Sequence, residues 1–406
     1  MKIMSIRILI TLFFLISIEI FPQFVYVKGK EFFTPENKPL LLKGINLGNW
    51  LLPEGYMFKF QKTSSPRLIF EMFNQLVGED EARKFWKTFY DNYITHEDIK
   101  FIKKSGFNSI RLPFNYKLFV SPNDHLKIEG IGFEFLKRCV EWCREENIYV
   151  IFDMHGAPGG QTGDNIDDSY GYPFLYEDED AKQTTVLIWE KIASIYKDDP
   201  IVIGYDLLNE PIAHYFDKEK LNPLLVPLFK KITSAIRKVD NNHVIFYGGA
   251  QWNSNFSVFG EPFDSNAAYT FHKYWTDTTQ SVIQEYVDYS NKYNVPLWMG
   301  ESGENTNEWI NSFRILLENN NIGWCFWPYK KMDAPSNVVS IKKPNNWDVI
   351  QTYSEADRSS YAKIRENRPD ITLVRNAMAE YLENIKFENC SINKDYIRAL
   401  GLITEQ

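Results

Sequence analysis

The sequence predicts an α/β fold, a (β/α)8 TIM barrel in a single domain. Three observations carry this. Short β-type runs alternate with amphipathic helical stretches, eight such runs can be counted, and polar or aromatic residues stand at or just after their ends. Length agrees: 406 residues exceed an ordinary domain, but α/β barrels commonly exceed about 250 residues as one unit.

The chain begins with Lys2 and Arg7, an apolar run from Ile8 to Ile18, then Glu19 and Pro22. That is the order of a secretory signal peptide, and the run is too short to span a bilayer. The expectation is a leader over residues 1–22, export to the extracellular space, periplasm or cell surface, and a mature domain over 23–406. No stable membrane insertion is expected once the leader is cleaved. An uncleaved tether is the alternative, because the small-residue cleavage signature near Gln23 is poor.

Strands are expected at Leu40–Asn46, Ser109–Pro113, Tyr149–Met154, Ile203–Leu208, Val244–Tyr247, Ala268–His272, Leu297–Gly300 and Gly323–Phe326. Helical periodicity falls between them at Glu97–Ser105, Phe133–Glu146, Ala181–Tyr196, Leu224–Val239, Ser281–Tyr293 and Trp309–Asn319. The polar segment Asp333 to Asn367 reads as a long loop, and a last helix, Ile371–Ile385, is expected to close the ring. An open doubly wound sheet fits less well. The first strand is followed by Gly44-Ile45-Asn46-Leu47-Gly48-Asn49, which lacks the glycine spacing of a dinucleotide-binding turn.

A formal charge of −8, with no long Lys/Arg block, removes the electrostatic footprint of a nucleic-acid binder. Aromatic residues make up 16%, and flat rings suit the apolar faces of sugars, although core packing uses most such rings. The four cysteines, Cys139, Cys143, Cys325 and Cys390, do not resemble a disulfide framework and are expected free and mostly buried. A monomer is expected.

In a barrel the strand C-termini converge on one face. Collected there are Asn46, Arg111, His155, Asn209 with Glu210, His272 with Tyr274, Glu301 and Trp327. Burying so many polar groups unpaired would be costly, so a site is expected. Glu210 and Glu301 belong to strands four and seven, which face each other across the mouth. Two carboxylates so placed are what glycosidic cleavage needs, one to protonate the leaving oxygen and one to attack or assist at the anomeric carbon. Asp153 and Asp206 lie within strands and read as structural. Asp164, Asp167 and Asp168 read as a solvated acidic loop before a cation site. Single members keep plain alternatives: a structural ion pair for Arg111, a core imidazole for His155, core packing for Trp327.

From about Leu41 to Trp327 the chain resembles glycoside hydrolase family 5, the cellulase-like retaining barrels. Asn209-Glu210-Pro211 is similar to that family's acid/base motif and Gly300-Glu301-Ser302 to its nucleophile motif. Arg111 matches the arginine that steadies the nucleophile. His155 in Asp153-Met154-His155-Gly156 matches the family histidine, His272-Lys273-Tyr274 the histidine–tyrosine pair, and Trp327 the sugar-stacking tryptophan. The resemblance implies a retaining β-glycoside hydrolase acting on β-1,3- or β-1,4-glucan or derived oligosaccharides. Glu301 would be nucleophile and Glu210 general acid/base, with carboxyl groups about 5 Å apart against roughly 6.5–9.5 Å for an inverting enzyme. Asn209 would hold the sugar 2-hydroxyl, His272 and Tyr274 would orient the carboxylates, and no metal or other cofactor is needed. Glu210 is expected to hold its proton because Glu301 is charged. The segments Gly44 to Leu51 and His155 to Gln161 are most similar to the exo-β-1,3-glucanase branch. Asn46 and Trp50 join the expected substrate-binding set, and Trp50, Trp252 and Trp275 are candidate sugar platforms, with core packing the alternative. A transglycosylase would share every one of these residues, and a non-catalytic glycan-binding barrel is a further alternative.

Overall fold

Strands of a parallel barrel are covered on both faces, by interior side chains and by helices, so they must be apolar nearly throughout. The computed structural model describes residues 23–402, and the expected leader lies outside them. Eight strands buried along almost their whole length form the centre: β1 Lys43–Asn46, β2 Ser109–Asn115, β3 Tyr149–Gly156, β4 Val202–Asp206, β5 Val244–Gly248, β6 Ala267–His272, β7 Leu297–Gly303 and β8 Gly323–Trp327. They are parallel and close into a barrel in chain order, β8 pairing back onto β1. This is the expected (β/α)8 architecture. The first strand is shorter than expected, because Pro39 and Leu40 pair instead with Glu31–Phe33.

The two ends of the barrel differ. At the N-terminal end an antiparallel sheet of Tyr26–Lys28, Glu31–Phe33 and Pro39–Leu40 supplies Phe32. Together with Val25, Phe32 joins an apolar cluster of Leu42, Ile151, Ile203, Val244, Phe246 and Trp298. The Phe32 and Phe246 rings lie 6.0 Å apart. Apolar packing thus fills that end, leaving the C-terminal mouth for polar groups.

The expected helices are present within a few residues at His96–Lys104, Gly132–Glu146, Glu179–Tyr196, Lys218–Arg237, Gln284–Tyr293 and Asn307–Asn319. Two more, Pro66–Val77 and Glu79–Asn92, precede the first of these. Ile371–Asn384, after the last strand, packs against that pair of the first connection and against Trp347–Glu355; the short helix Lys394–Ala399 packs on Asn307–Asn319. The segment expected to be a loop is also structured. Val339–Ile341 pairs with Lys330–Met332 and Ser391–Ile392, and Trp347–Glu355 and Tyr361–Glu366 are helical. Few apolar residues mark this stretch, but Val338, Val339, Ile341, Trp347 and Ile350 are all fully buried or nearly so. Trp347 also donates its indole N–H to the Phe58 carbonyl at 2.9 Å.

All four cysteines are free, three of them buried. Among the described residues no helix is long and apolar enough to cross a membrane.

Candidate active site

Chain geometry brings the two glutamates together. β7 is irregular between Met299 and Glu301, and such a bulge re-aims the following side chain. Gly300 sits at that bulge, where a Cβ would lie 2.4 Å from the Thr270 hydroxyl oxygen. Glu301 therefore faces the barrel mouth. Glu210 lies four residues beyond β4 with φ 47°, a left-handed conformation unusual for a glutamate. Carboxylate oxygens of Glu210 and Glu301 and a ring nitrogen of His272 all lie within 4.8 Å of one another.

Each carboxylate has its own partners. Glu301 Oε2 accepts from Arg111 Nη1 at 2.9 Å, and Oε1 accepts from the Tyr274 hydroxyl at 2.7 Å. His272 Nε2 accepts from the Asn253 amide at 3.1 Å, which leaves the ring proton on Nδ1, 2.9 Å from Glu210 Oε1. Burial holds the His272 pKa well below its usual value, helped by Arg111, so the ring is neutral.

Burial also pushes the Glu210 pKa well above the ordinary carboxyl range, with the charge of Glu301 second. The expectation had named Glu301 as the source; desolvation is the larger cause. Burial raises Glu301 as well, opposed by Arg111, His155 and the Tyr274 hydrogen bond. The pair thus differs by its partners: Glu301 has a guanidinium at hydrogen-bond distance, and Glu210 has a neutral imidazole.

Three ligand-type groups this close could in principle hold a cation. The permanent charge of Arg111, 2.9 Å from Glu301, opposes a divalent ion there, and both Glu301 oxygens already accept hydrogen bonds.

Below the mouth Arg111 lies inside β2, not at its end, and is fully buried. Besides Glu301 it donates to Asp206 at 2.9 Å, Asn46 at 3.1 Å and Asn209 at 2.9 Å, and pairs with Asp153 at 3.1 Å. The structural reading of Asp153 and Asp206 holds, and burial pushes both their pKa values up to about 7 against the pull of Arg111. His155 continues the network. Its Nδ1 donates to Asp153 at 2.7 Å, its Nε2 faces the Asn209 amide at 3.3 Å, and burial lowers its pKa to about 3.

A cavity of about 670 Å³ lies above this network and is lined by Glu210, Glu301, His155, His272, Tyr274 and Trp327, among others. Trp327 is seated by its stack on His155, with centroids 5.4 Å apart, and by donation to the Tyr56 hydroxyl at 2.6 Å. Gly48 is required beneath it, since a Cβ there would come within 2.4 Å of the indole.

Four residues of the expected site are buried. Asn46 is fully buried and spends its amide on the carbonyls of Gly300, Cys325 and Phe326, and Arg111 and Asn209 are likewise buried under the floor. Each end of the Asn209 amide has a protein partner, and with Asn46 and Arg111 it forms a network that reaches Glu301. Trp50 is core: it is fully buried, donates to the Tyr90 carbonyl at 2.9 Å and packs by Phe135. Trp252 and Trp275 do line the cleft, Trp275 with 73% of its surface exposed.

Of the acidic loop, Asp164 is half-buried and lines the cleft, but Asp167 and Asp168 are not solvated. Asp167 is buried and accepts backbone N–H groups of Thr162, Gly163 and Ser169, while buried Asp168 pairs with Lys117. Sequence reasoning missed Glu54, a buried cleft residue with one carboxyl oxygen lacking any partner. Burial, then the charges of Glu301 and Glu304, raises its pKa well above the usual range, which suits it to meet a ligand hydroxyl. It lies eight residues beyond the end of β1, too far for a strand-end pattern to reveal.

A family model described as cellulase (glycosyl hydrolase family 5) matches residues 60–333. The chain belongs to that family. With family 5 membership comes a class of chemistry, hydrolysis of O-glycosyl bonds. The family 5 chain is 28% identical over 306 residues to a β-xylosidase of Phanerodontia chrysosporium, covering 74% of this chain and 61% of that protein. It is 27% identical over 311 residues to endoglucanase C of Acetivibrio thermocellus, covering 61% and 88%. A glucan 1,3-β-glucosidase I/II of Saccharomyces cerevisiae is 29% identical over 232 residues, covering 53% and 51%. The match thus spans about three fifths of the β-xylosidase and about half of the yeast protein. Among solved structures, Thermotoga maritima Cel5A superposes with a TM-score of 0.54 at 18% identity, covering 89% of this chain and 97% of that one. An endogalactoceramidase gives a TM-score of 0.59 at 15% identity, covering 93% and 84%. At such identities the likeness speaks to the barrel alone.

Replacing Arg111 by Met strands buried Asp153, Asp206 and Glu301 without their cation. Loss of stability of about 3–5 kcal/mol is expected, read as a lower urea midpoint at neutral pH.

Proposed function

We propose that the protein is a retaining β-glycoside hydrolase acting on β-glucan-type bonds by double displacement. The observation that carries this is that a Glu210 carboxylate oxygen lies within 4.8 Å of one of Glu301, close to the spacing of about 5–5.5 Å of retaining pairs and well short of the roughly 6.5–9.5 Å of inverting ones. Glu301, ionised by Arg111 and Tyr274, attacks the anomeric carbon and forms a glycosyl-enzyme. Glu210, protonated at rest, gives its proton to the leaving oxygen and then removes one from the incoming water. His272 orients Glu210, and Trp327 offers a ring face to a sugar.

The choice of β-glucan is supported by relatives named endoglucanase and glucan 1,3-β-glucosidase, and the resemblance of the β1 and β3 loops favours exo-β-1,3 action. Residues 1–22 are proposed as an export leader and 23–406 as one catalytic domain. Hydrolysis of β-1,3- and β-1,4-glucans and their oligosaccharides, with products resolved by chain length, tests the substrate. Release of no sugar from either linkage would overturn it.

Glu301→Ala should abolish turnover of an aryl β-glycoside, and added azide should restore part of it with an α-glycosyl azide as product. Absence of that product would count against the nucleophile assignment.

The pH profile gives a second check. Activity needs Glu301 ionised and Glu210 protonated, so it falls on both sides of an optimum. The Tyr274 hydroxyl lowers the Glu301 pKa, so Tyr274→Phe raises it and leaves less of the ionised form at low pH. The acid limb of kcat/KM should move to higher pH. An unmoved acid limb would separate Tyr274 from the ionisation of Glu301.

A further inference from the structure

The loop after β3 leaves the strand at Gly156 and passes beside the Glu210 segment before the helix Glu179–Tyr196. The two segments are hydrogen-bonded over several residues. The Thr162 hydroxyl donates to the Glu210 carbonyl at 2.8 Å. The Gln161 side-chain amide donates to the carbonyls of Asn209 and His155, each at 2.8 Å, while its oxygen accepts from Ala157 N at 2.9 Å. In return Ile212 N donates to the Gln161 carbonyl at 2.8 Å and Ala213 N to that of Thr162 at 3.0 Å.

The segment being held needs holding. Glu210 has φ 47° and Ile212 φ 55°, and a β-branched residue is especially disfavoured there. Such conformations persist only when the surroundings over-determine them. The strap is itself fixed. Asp167 accepts from Thr162 N at 2.6 Å, Gly163 N at 2.8 Å and Ser169 N at 2.9 Å, and Gln161, Thr162 and Asp167 are all buried. Gly160, at φ 81°, has no room for a Cβ, which would meet Ser169 at 2.4 Å.

We propose that residues 157–169 are a positioning strap for the general acid/base, in which Thr162 and Gln161 fix the backbone at Asn209 and Glu210 so that the Glu210 carboxyl points at the leaving-group oxygen. This rests on the assignment of Glu210 as acid/base. Asp164, Asn165 and Ile166 of this loop line the cleft but Thr162 does not, and its hydroxyl reaches the site through the Glu210 carbonyl. Glu301 is held from elsewhere, by Arg111 and Tyr274, so removing the Thr162 hydroxyl disturbs the Glu210 backbone and leaves both Glu301 partners in place. A loop of merely structural importance would disturb both.

Leaving-group dependence separates these outcomes. A dinitrophenolate departs without protonation, whereas a phenolate needs the acid. Thr162→Val removes the hydroxyl donor at nearly constant shape, and Thr162→Ser keeps it. Both are assayed with phenyl and 2,4-dinitrophenyl β-glucosides or β-cellobiosides, whichever the wild-type protein turns over, with Glu210→Ala in parallel. Thr162→Val should lower kcat/KM on the phenyl glycoside about tenfold or more while changing the dinitrophenyl rate far less, and Thr162→Ser should restore the phenyl rate. Equal losses on both substrates, or no loss on either, overturn the strap provided that Glu210→Ala does discriminate. If Glu210→Ala shows no discrimination, the acid/base assignment falls and the strap with it. A Thr162→Val chain that does not fold, with Thr162→Ser showing equal losses on both substrates, also counts against it.

Discussion

One buried guanidinium organises the mouth of this barrel. Arg111, on β2, bonds to Asn46 on β1, Asp153 on β3, Asp206 on β4 and Glu301 on β7, so a single side chain ties its own strand to four others. A charge with no water around it is stable only when its donors are saturated, and a planar fork can meet several acceptors at once where a lysine cannot. The same constraint sets the chemistry. The charge of Arg111 pulls the Glu301 pKa down against burial, whereas Glu210 is bonded to a neutral histidine and its pKa is raised by burial and by the charge of Glu301.

The two carboxylates are delivered by different backbone devices. A bulge at Gly300 turns Glu301 into the mouth, whereas Glu210 sits past the end of β4 on a left-handed turn bonded to the loop after β3. Apolar packing fills the opposite end of the barrel, which suits one buried charged layer to a single face.

Much of this is legible in the sequence, because alternation of apolar strands and amphipathic helices is a local signal. All eight strands follow from it, and with them the facing of Glu210 and Glu301. What misled was partnership at a distance. Asn46 and Asn209 stand at or just past expected strand ends and Arg111 within one, and all three resemble site residues, yet their hydrogen bonds go to one another and to the floor. Trp50 looks like a platform until Tyr90 and Phe135 close over it. Asp167 and Asp168 look solvated because their partners, backbone amides and Lys117, come from turns and from a residue 51 positions away. Glu54 has no strand-end signal at all, since a long loop carries it back over the cleft.

The central proposal is that Glu210 and Glu301 act as a retaining pair. Proton NMR of the anomeric region during the first minutes of hydrolysis of an aryl β-glycoside tests it most directly, before mutarotation mixes the products. The β-anomer of the released sugar should appear first and the α-anomer only later. Initial release of the α-anomer would mean inversion and would contradict the roles assigned to both carboxylates.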